Sequence, residues 1–126
     1  MKKVLIVEDD RSIALALAVR MKNAGYETLI AHDALAGLNA AVKLHPDVVL
    51  LDISMPAGNG FDVAERIQKL IPTATPIIFL TASKKPSFRE EAVRLGAAGY
   101  FEKPYNPENL LSTVRHALGD KEPQVA

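Results

Sequence analysis

The sequence has no cysteine, which excludes disulfides, Cys-based zinc sites and thiol chemistry. That absence fits a reducing cytoplasm. It also has no surplus charge, because fifteen Lys and Arg stand against fifteen Asp and Glu. Binding nucleic acid or an acidic membrane leans on excess positive charge, so neither is favoured as a direct partner. No apolar run approaches the roughly 20 residues that a membrane span needs. The start, MKKVLIVEDD, offers two lysines but only four apolar residues before acids intervene, too few for the apolar stretch of a signal peptide. No repeat or low-complexity tract interrupts the chain. A soluble cytoplasmic protein is expected, with no direct nucleic-acid or membrane contact.

What remains is a chain of 126 residues, a length that suits one domain. A chain of that size can bury roughly two-thirds of the surface its unfolded form exposes. Short apolar runs rich in β-branched residues alternate with helical patterns along it. Strands are expected over 3–7, 26–31, 47–52, 76–81 and 98–103, the second more polar and so nearer an edge. Helices are expected after the first strand, where Ile13, Leu17 and Met21 recur every four residues, and over 34–44, 61–71, 87–96 and 106–118. Gly25 sits where a helix C-terminus belongs, and Asn106 with Pro107 reads as a helix start. Strict alternation argues for a parallel sheet covered on both faces. The fold class expected is α/β, a flavodoxin-like doubly wound five-stranded parallel sheet of order 2-1-3-4-5. Residues 1–119 make the domain, and 120–126 read as a tail or the start of a linker.

The stretch VLLDISMPAGNG poses the chemical question. An apolar strand runs into Asp52, and a turn containing Met55, Pro56, Gly58 and Gly60 follows. A carboxylate at the tip of a buried strand is costly unless something pairs with it. In a sheet of this class, ligands bind beyond the carboxyl ends of the strands. Strand one ends in Glu8-Asp9-Asp10, strand three in Asp52, strand four in Thr81 and strand five in Lys103. Taken singly, each is an ordinary strand-end residue, and Asp10 suits the first helix as N-terminal charge. Together they converge on one patch if those strands are neighbours. Carboxylates without His or Cys suit a hard divalent cation, Mg²⁺ being the commonest choice. Lys103 supplies a counter-charge and Thr81 a hydroxyl.

These motifs resemble, in order and over nearly the whole chain, the receiver domain of two-component response regulators, including the stand-alone chemotaxis-type receivers. VLIVEDD is similar to the family's first strand and acidic pair, LLDISMPAGNG to its phosphoacceptor strand with the D-x-x-M-P-x-x-x-G turn. IIFLTA resembles its Thr-Ala strand end, and GYFEKP its aromatic residue and Lys-Pro pair. The resemblance implies that Asp52 is the phosphoacceptor, assisted by Lys103 and Thr81, and that the protein is not an enzyme in the turnover sense. It implies Mg²⁺ held by Glu8, Asp9, Asp52 and the backbone carbonyl of Ser54. It further implies that Ala82 leaves room for the phosphoryl group, that Thr81 and Tyr100 form a switch, and that the peptide before Pro104 is cis. The implied partners are a sensor histidine kinase or histidine phosphotransfer protein, and downstream either a protein partner or a fused DNA-binding or enzymatic output domain. Output would pass through the fourth helix, fifth strand and fifth helix, unless the chain is a phosphate sink.

The departures are small. The first acid is Glu8, and Ser54 and Ser83 are short residues beside the expected acceptor and Thr81. Ala98-Gly99-Tyr100 lacks the acid that many DNA-binding regulators use there to pair across a dimer, so that dimer is not carried over. A haloacid-dehalogenase-like phosphatase needs a second Asp two residues after its nucleophile, where this chain has Ser54. A dinucleotide-binding domain needs a glycine-rich loop after strand one, and VEDDRS has no glycine. A flavodoxin would place a Ser/Thr/Gly-rich phosphate loop there, whereas acids repel phosphate unless a metal intervenes.

Overall fold

A computed structural model of the chain describes residues 1–55, 58–71 and 73–120. Five strands form one sheet: β1 (Lys3–Val7), β2 (Glu27–Ala31), β3 (Val48–Asp52), β4 (Ile77–Thr81) and β5 (Gly99–Glu102). They are parallel and run in the order β2-β1-β3-β4-β5, the doubly wound arrangement expected from the sequence. Between and after them lie α1 (Arg11–Asn23), α2 (Ala34–Leu44), α3 (Gly60–Leu70), α4 (Pro86–Arg94) and α5 (Pro107–Ala117). A two-residue antiparallel ladder, Ser54–Met55 against Gly58–Asn59, stands apart from the sheet and takes no strand number. Pro56 of the expected turn, and the expected tail beyond Asp120, lie outside the described residues.

The strand sequences explain the layering. β3 and β4 are buried at every residue, as strands covered on both faces must be. Successive side chains alternate between two cores. Val4, Ile6, Val48, Leu50, Ile78 and Leu80 pack with Leu17 and Met21 of α1 and Leu110 and Val114 of α5. Leu5, Val7, Val49, Leu51, Ile77 and Phe79 pack instead with Phe61, Val63 and Ile67 of α3 and Ala92 of α4. Each fully buried side chain of this size contributes about 1.5–3 kcal/mol. β2, at the edge, is half open to solvent.

Helix starts follow local chemistry. The carboxylates of Asp10 and Asp33 accept from the amides of Ile13 and Ala36 at the heads of α1 and α2, and Asn59 and Asn106 do the same for α3 and α5. α3 therefore opens at Gly60, one residue before the expected start. α4 has no side-chain cap and begins at Pro86, where the fixed φ of proline favours a first helical turn. β5 stops at Glu102 because, although the Lys103 amide still donates to the Thr81 carbonyl at 2.7 Å, Pro104 has no N–H to continue the ladder. The Lys103–Pro104 peptide is cis.

At the opposite end of the sheet, Asp120 is held against the domain. Lys2 Nζ lies 2.7 Å from its carboxylate, and the Tyr26 hydroxyl donates to it at 2.9 Å. Lys2 Nζ also donates to the Leu118 carbonyl at 2.6 Å, closing the last turn of α5 onto the start of β1.

Candidate functional site

The strand register assembles the site. Val7 pairs with Leu51, so Glu8 and Asp52, each one residue on, emerge at the same level of adjacent strands. Asp52 pairs with Leu80, which sets Thr81 one step higher on β4. Thr81 pairs with Glu102, which sets Lys103 one step beyond that on β5. Residues 95 positions apart in sequence are thereby brought into contact: Lys103 Nζ donates to Glu8 Oε1 at 2.7 Å. The same ammonium lies 3.5 Å from Asp52 Oδ2.

The groups differ sharply in exposure. Glu8 is 1%, Asp52 4% and Thr81 0% exposed, while Asp9, Ser54 and Ala82 face solvent. Carboxylate oxygens of Glu8, Asp9 and Asp52 come within 4.8 Å of one another. Three acids therefore meet one lysine, and two of the acids are buried. Burial pushes the Glu8 carboxyl up, and the neighbouring Asp52 adds to that while Lys103 opposes it. Burial works against the charge on Lys103, yet Glu8 and Asp52 together hold its ammonium above the ordinary lysine range. Both members of the pair move upward, Glu8 chiefly through burial with Asp52 beside it, and Lys103 because it faces two carboxylates. Negative charge is in excess, and every donor is a hard oxygen, so the cluster fits a divalent cation such as Mg²⁺.

Backbone donors fix the remaining oxygens. The Ser54 amide donates to Asp52 Oδ1 at 3.1 Å, and the Asp10 amide to Glu8 Oε2 at 3.3 Å. Asp10 itself turns to α1, which leaves Asp9 as the second acid of the cluster. Gly60 is required by close approach. A Cβ there would lie 2.5 Å from the Asp52 carbonyl oxygen and 2.7 Å from Ile53 Cα, and the Gly60 amide donates to the Ile53 carbonyl at 2.9 Å. The Thr81 hydroxyl accepts from the Ser83 amide at 3.0 Å, which ties it to the loop before α4.

Tyr100 packs its ring on the α3–α4 core, and its hydroxyl is buried without a hydrogen-bond partner among the described residues. The Arg89 guanidinium caps the ring at 4.6 Å and reaches Glu102 at 3.6 Å, which Lys84 approaches at 3.7 Å. Sequence reasoning did not single out Lys84, Arg89 or Glu102, since ordinary surface charges carry no signal before the strand order is known. It also passed over His32, whose Nδ1 lies 3.0 Å from the Glu8 carbonyl oxygen. That oxygen can only accept, so Nδ1 carries the hydrogen and steadies the end of β1.

A family profile described as the response regulator receiver domain matches residues 4–115. The chain is 34% identical to the DNA-binding dual master transcriptional regulator RpaA of Synechocystis sp., the match covering all of this chain and 54% of that protein. A CheY-like response regulator receiver domain protein from Methanospirillum hungatei superposes with a TM-score of 0.89 at 30% identity, covering 94% of each chain. Chemotaxis protein CheY4 of Vibrio cholerae superposes with a TM-score of 0.84 at 37% identity, covering 94% of this chain and 99% of that one. The chain spans about half the length of the curated relatives it matches. No helix among the described residues is long and apolar enough to cross a membrane.

Proposed function

We propose, on the premise that the chain belongs to the response regulator receiver family and acts in two-component signalling, that Asp52 is the residue that takes the phosphoryl group. The observation that carries this is the Lys103 ammonium set between Glu8 at 2.7 Å and Asp52 at 3.5 Å, at the carboxyl ends of three strands. An Asp52 carboxylate oxygen attacks the phosphorus of a phosphohistidine on a histidine kinase or phosphotransfer protein. The O–P bond forms as the P–N bond breaks, and the electron pair leaves with the imidazole nitrogen, which takes up a proton. Lys103 offsets charge on the phosphoryl oxygens, the main service a protein can render in this reaction. Glu8, Asp9, Asp52 and the Ser54 carbonyl would hold Mg²⁺, which when bound supplies further positive charge at those oxygens. Exposed Ala82 leaves the approach open, and Thr81 offers its hydroxyl to an arriving oxygen.

The chain assists its own phosphorylation and dephosphorylation and turns over no separate substrate. Its setting on this reading is the cytoplasm, where family signalling takes place. Residues 1–119 are assigned to the receiver and 120–126 to a tail or the start of a linker. Output passes through α4, β5 and α5 to a protein partner or to a fused domain of the kind named for the DNA-binding relatives. Thr81 and Tyr100 form the switch between the site and that face. The test of the acceptor is intact mass after incubation with acetyl phosphate. The protein gains one phosphoryl group when Mg²⁺ is supplied and none when it is chelated. An Asp52→Asn variant that gains the group to the same extent refutes the assignment.

A further inference from the structure

The α2–α3 face carries features that phosphoryl transfer does not use. α2 reads ALAGLNAAVKL and bears a single charge, Lys43. A helix apolar on nearly every side belongs in a buried setting, yet Leu35 is 68% exposed and Val42, two turns on, 38% exposed. Beside Leu35 is a hollow of about 280 Å³ between the two helices, floored by Leu38, Val63 and Gly58 and rimmed by Asp62 and Arg66. Leu35 is thus a knob next to a hole. Asp62 and Arg66 stand one turn apart on α3, both exposed. Neither side chain makes an ion pair or hydrogen bond among the described residues. An acid and a base at that spacing could pair with each other, and here they do not.

We infer that this face docks a second copy of the chain across a two-fold axis midway between Asp62 and Arg66. A two-fold contact must be self-complementary; this patch carries one acid and one base a turn apart, and an exposed Leu35 beside a hollow. Antiparallel apposition of the two α3 helices sets Asp62 of each copy against Arg66 of the other, making two ion pairs. Each Leu35 enters the hollow of the opposite copy, where apolar floor replaces water around it. Two helices a side make an interface below about 1,200 Å² in total, the range of weak, reversible association. The face is separate from α4, β5 and α5, so pairing leaves the proposed output face free. Gly58 and Asn59 line the hollow seven residues or fewer after the proposed acceptor, so the same loop borders both sites.

The experiment is sedimentation equilibrium of the full chain from about 10 µM to about 1 mM, a span that brackets weak dimers. The weight-average mass rises toward twice the monomer with concentration. Asp62→Arg and Arg66→Asp each oppose like charges across the axis and abolish the rise, as does Leu35→Lys. The double reversal Asp62→Arg/Arg66→Asp restores the pairing and the rise. A monomer at every concentration overturns the inference. So does a dimer indifferent to the single reversals, or a double reversal that fails to recover while the circular dichroism matches that of the parent.

Discussion

Replacing Lys103 with Met keeps the apolar stem of the side chain packed and removes only its ammonium. Glu8, 1% exposed, then keeps its carboxylate beside that of Asp52 with no cation at hydrogen-bond distance among the described residues. Removing one partner of a buried pair costs about 3–5 kcal/mol. Lys103 is 20% exposed, so solvent screens part of the pair, and the lower end, about 3 kcal/mol, applies. That is a large share of the roughly 5–15 kcal/mol that holds a domain of this size together. With a urea slope near 1.5–2 kcal/mol per molar, the midpoint falls by about 1.5–2 M.

The loss depends on pH, with a sign the site dictates. Glu8 already sits above its ordinary value because of burial first and Asp52 second, and Lys103 opposes both. Without Lys103 it rises further. A carboxyl whose folded pKa exceeds its unfolded one contributes stability that is complete below the unfolded value and lost as pH climbs through the folded value. The variant therefore loses more between about pH 5 and pH 8 than the parent does, and the gap between them widens with pH. Lys103 in the parent stays charged throughout that range, being raised itself. Urea titrations of both proteins at pH 5 and pH 8 measure the gap. A midpoint difference equal at the two pH values refutes the reasoning, because it makes the loss one of packing and not of an abandoned charge. At pH 8, Mg²⁺ at millimolar levels stabilises the variant more than the parent.

Beryllofluoride, which mimics an acyl phosphate, shifts amide resonances through 81–100 and 106–118; shifts confined to residues touching Asp52 make the chain a phosphate sink and not a switch. The second expectation concerns Tyr26, whose phenol is pushed up to about 12 by burial and by Asp120. The neutral phenol is thus favoured by the fold, a contribution complete below about pH 10 and lost between about 10 and 12. Tyr26→Phe lowers stability by about 1 kcal/mol at pH 7, the worth of one hydrogen bond, and urea midpoints show the gap to the parent closing by pH 11–12; a constant gap counts against the Asp120 contact.

The sheet was legible because β1, β3 and β4 are short apolar runs rich in β-branched residues that alternate with longer helical patterns; length and composition, not periodicity, set such runs apart from buried helix. Asp52 was legible for a different reason: a charge directly after VVLL is costly unless paired, and the strand ends around it offer partners. That Glu8, Thr81 and Lys103 surround it depends on strand order, which belongs to the doubly wound fold class as a whole and follows neither from alternation nor from any local residue. Strand and helix ends alike differ from expectation by one or two positions, as where β2 to β5 begin one residue later, where Asn59 caps α3, or where Pro86 opens α4 without a side-chain cap. Tyr26, expected within the second strand, precedes it; its ring is 6% exposed, and burial alone reads the same in a turn as in a strand. Contacts such as Lys2 with Asp120, 118 positions apart, leave no trace in the sequence, because two polar residues near the termini are the commonest thing a chain can have.

The question of why a buried strand should end in Asp52 has an answer in what holds its neighbours. Thr81 is fixed at the main chain, where its carbonyl accepts from the Lys103 amide at 2.7 Å. Its hydroxyl, by contrast, is engaged by the Ser83 amide alone among the described residues. On the proposed reading, a phosphoryl oxygen at Asp52 accepts the hydroxyl's hydrogen while the hydroxyl still accepts from the Ser83 amide, so a shift of Thr81 toward it draws on the loop carrying Ser83 and Lys84. Lys84 and Arg89 converge on Glu102, and Arg89 also caps Tyr100. The ring beneath has a buried hydroxyl with no hydrogen-bond partner among the described residues, a costly state. Exposed ion pairs at 3.6 and 3.7 Å contribute about 1 kcal/mol or less each, weak enough to exchange when a phosphoryl group arrives. On that reading, a phosphoryl group shifts this arrangement toward a second one only by as much as its contacts differ between the two. Had Asp52 stood in open solvent, its charge would be screened, its lysine unconstrained, and the added phosphoryl group would have nothing rigid to pull against.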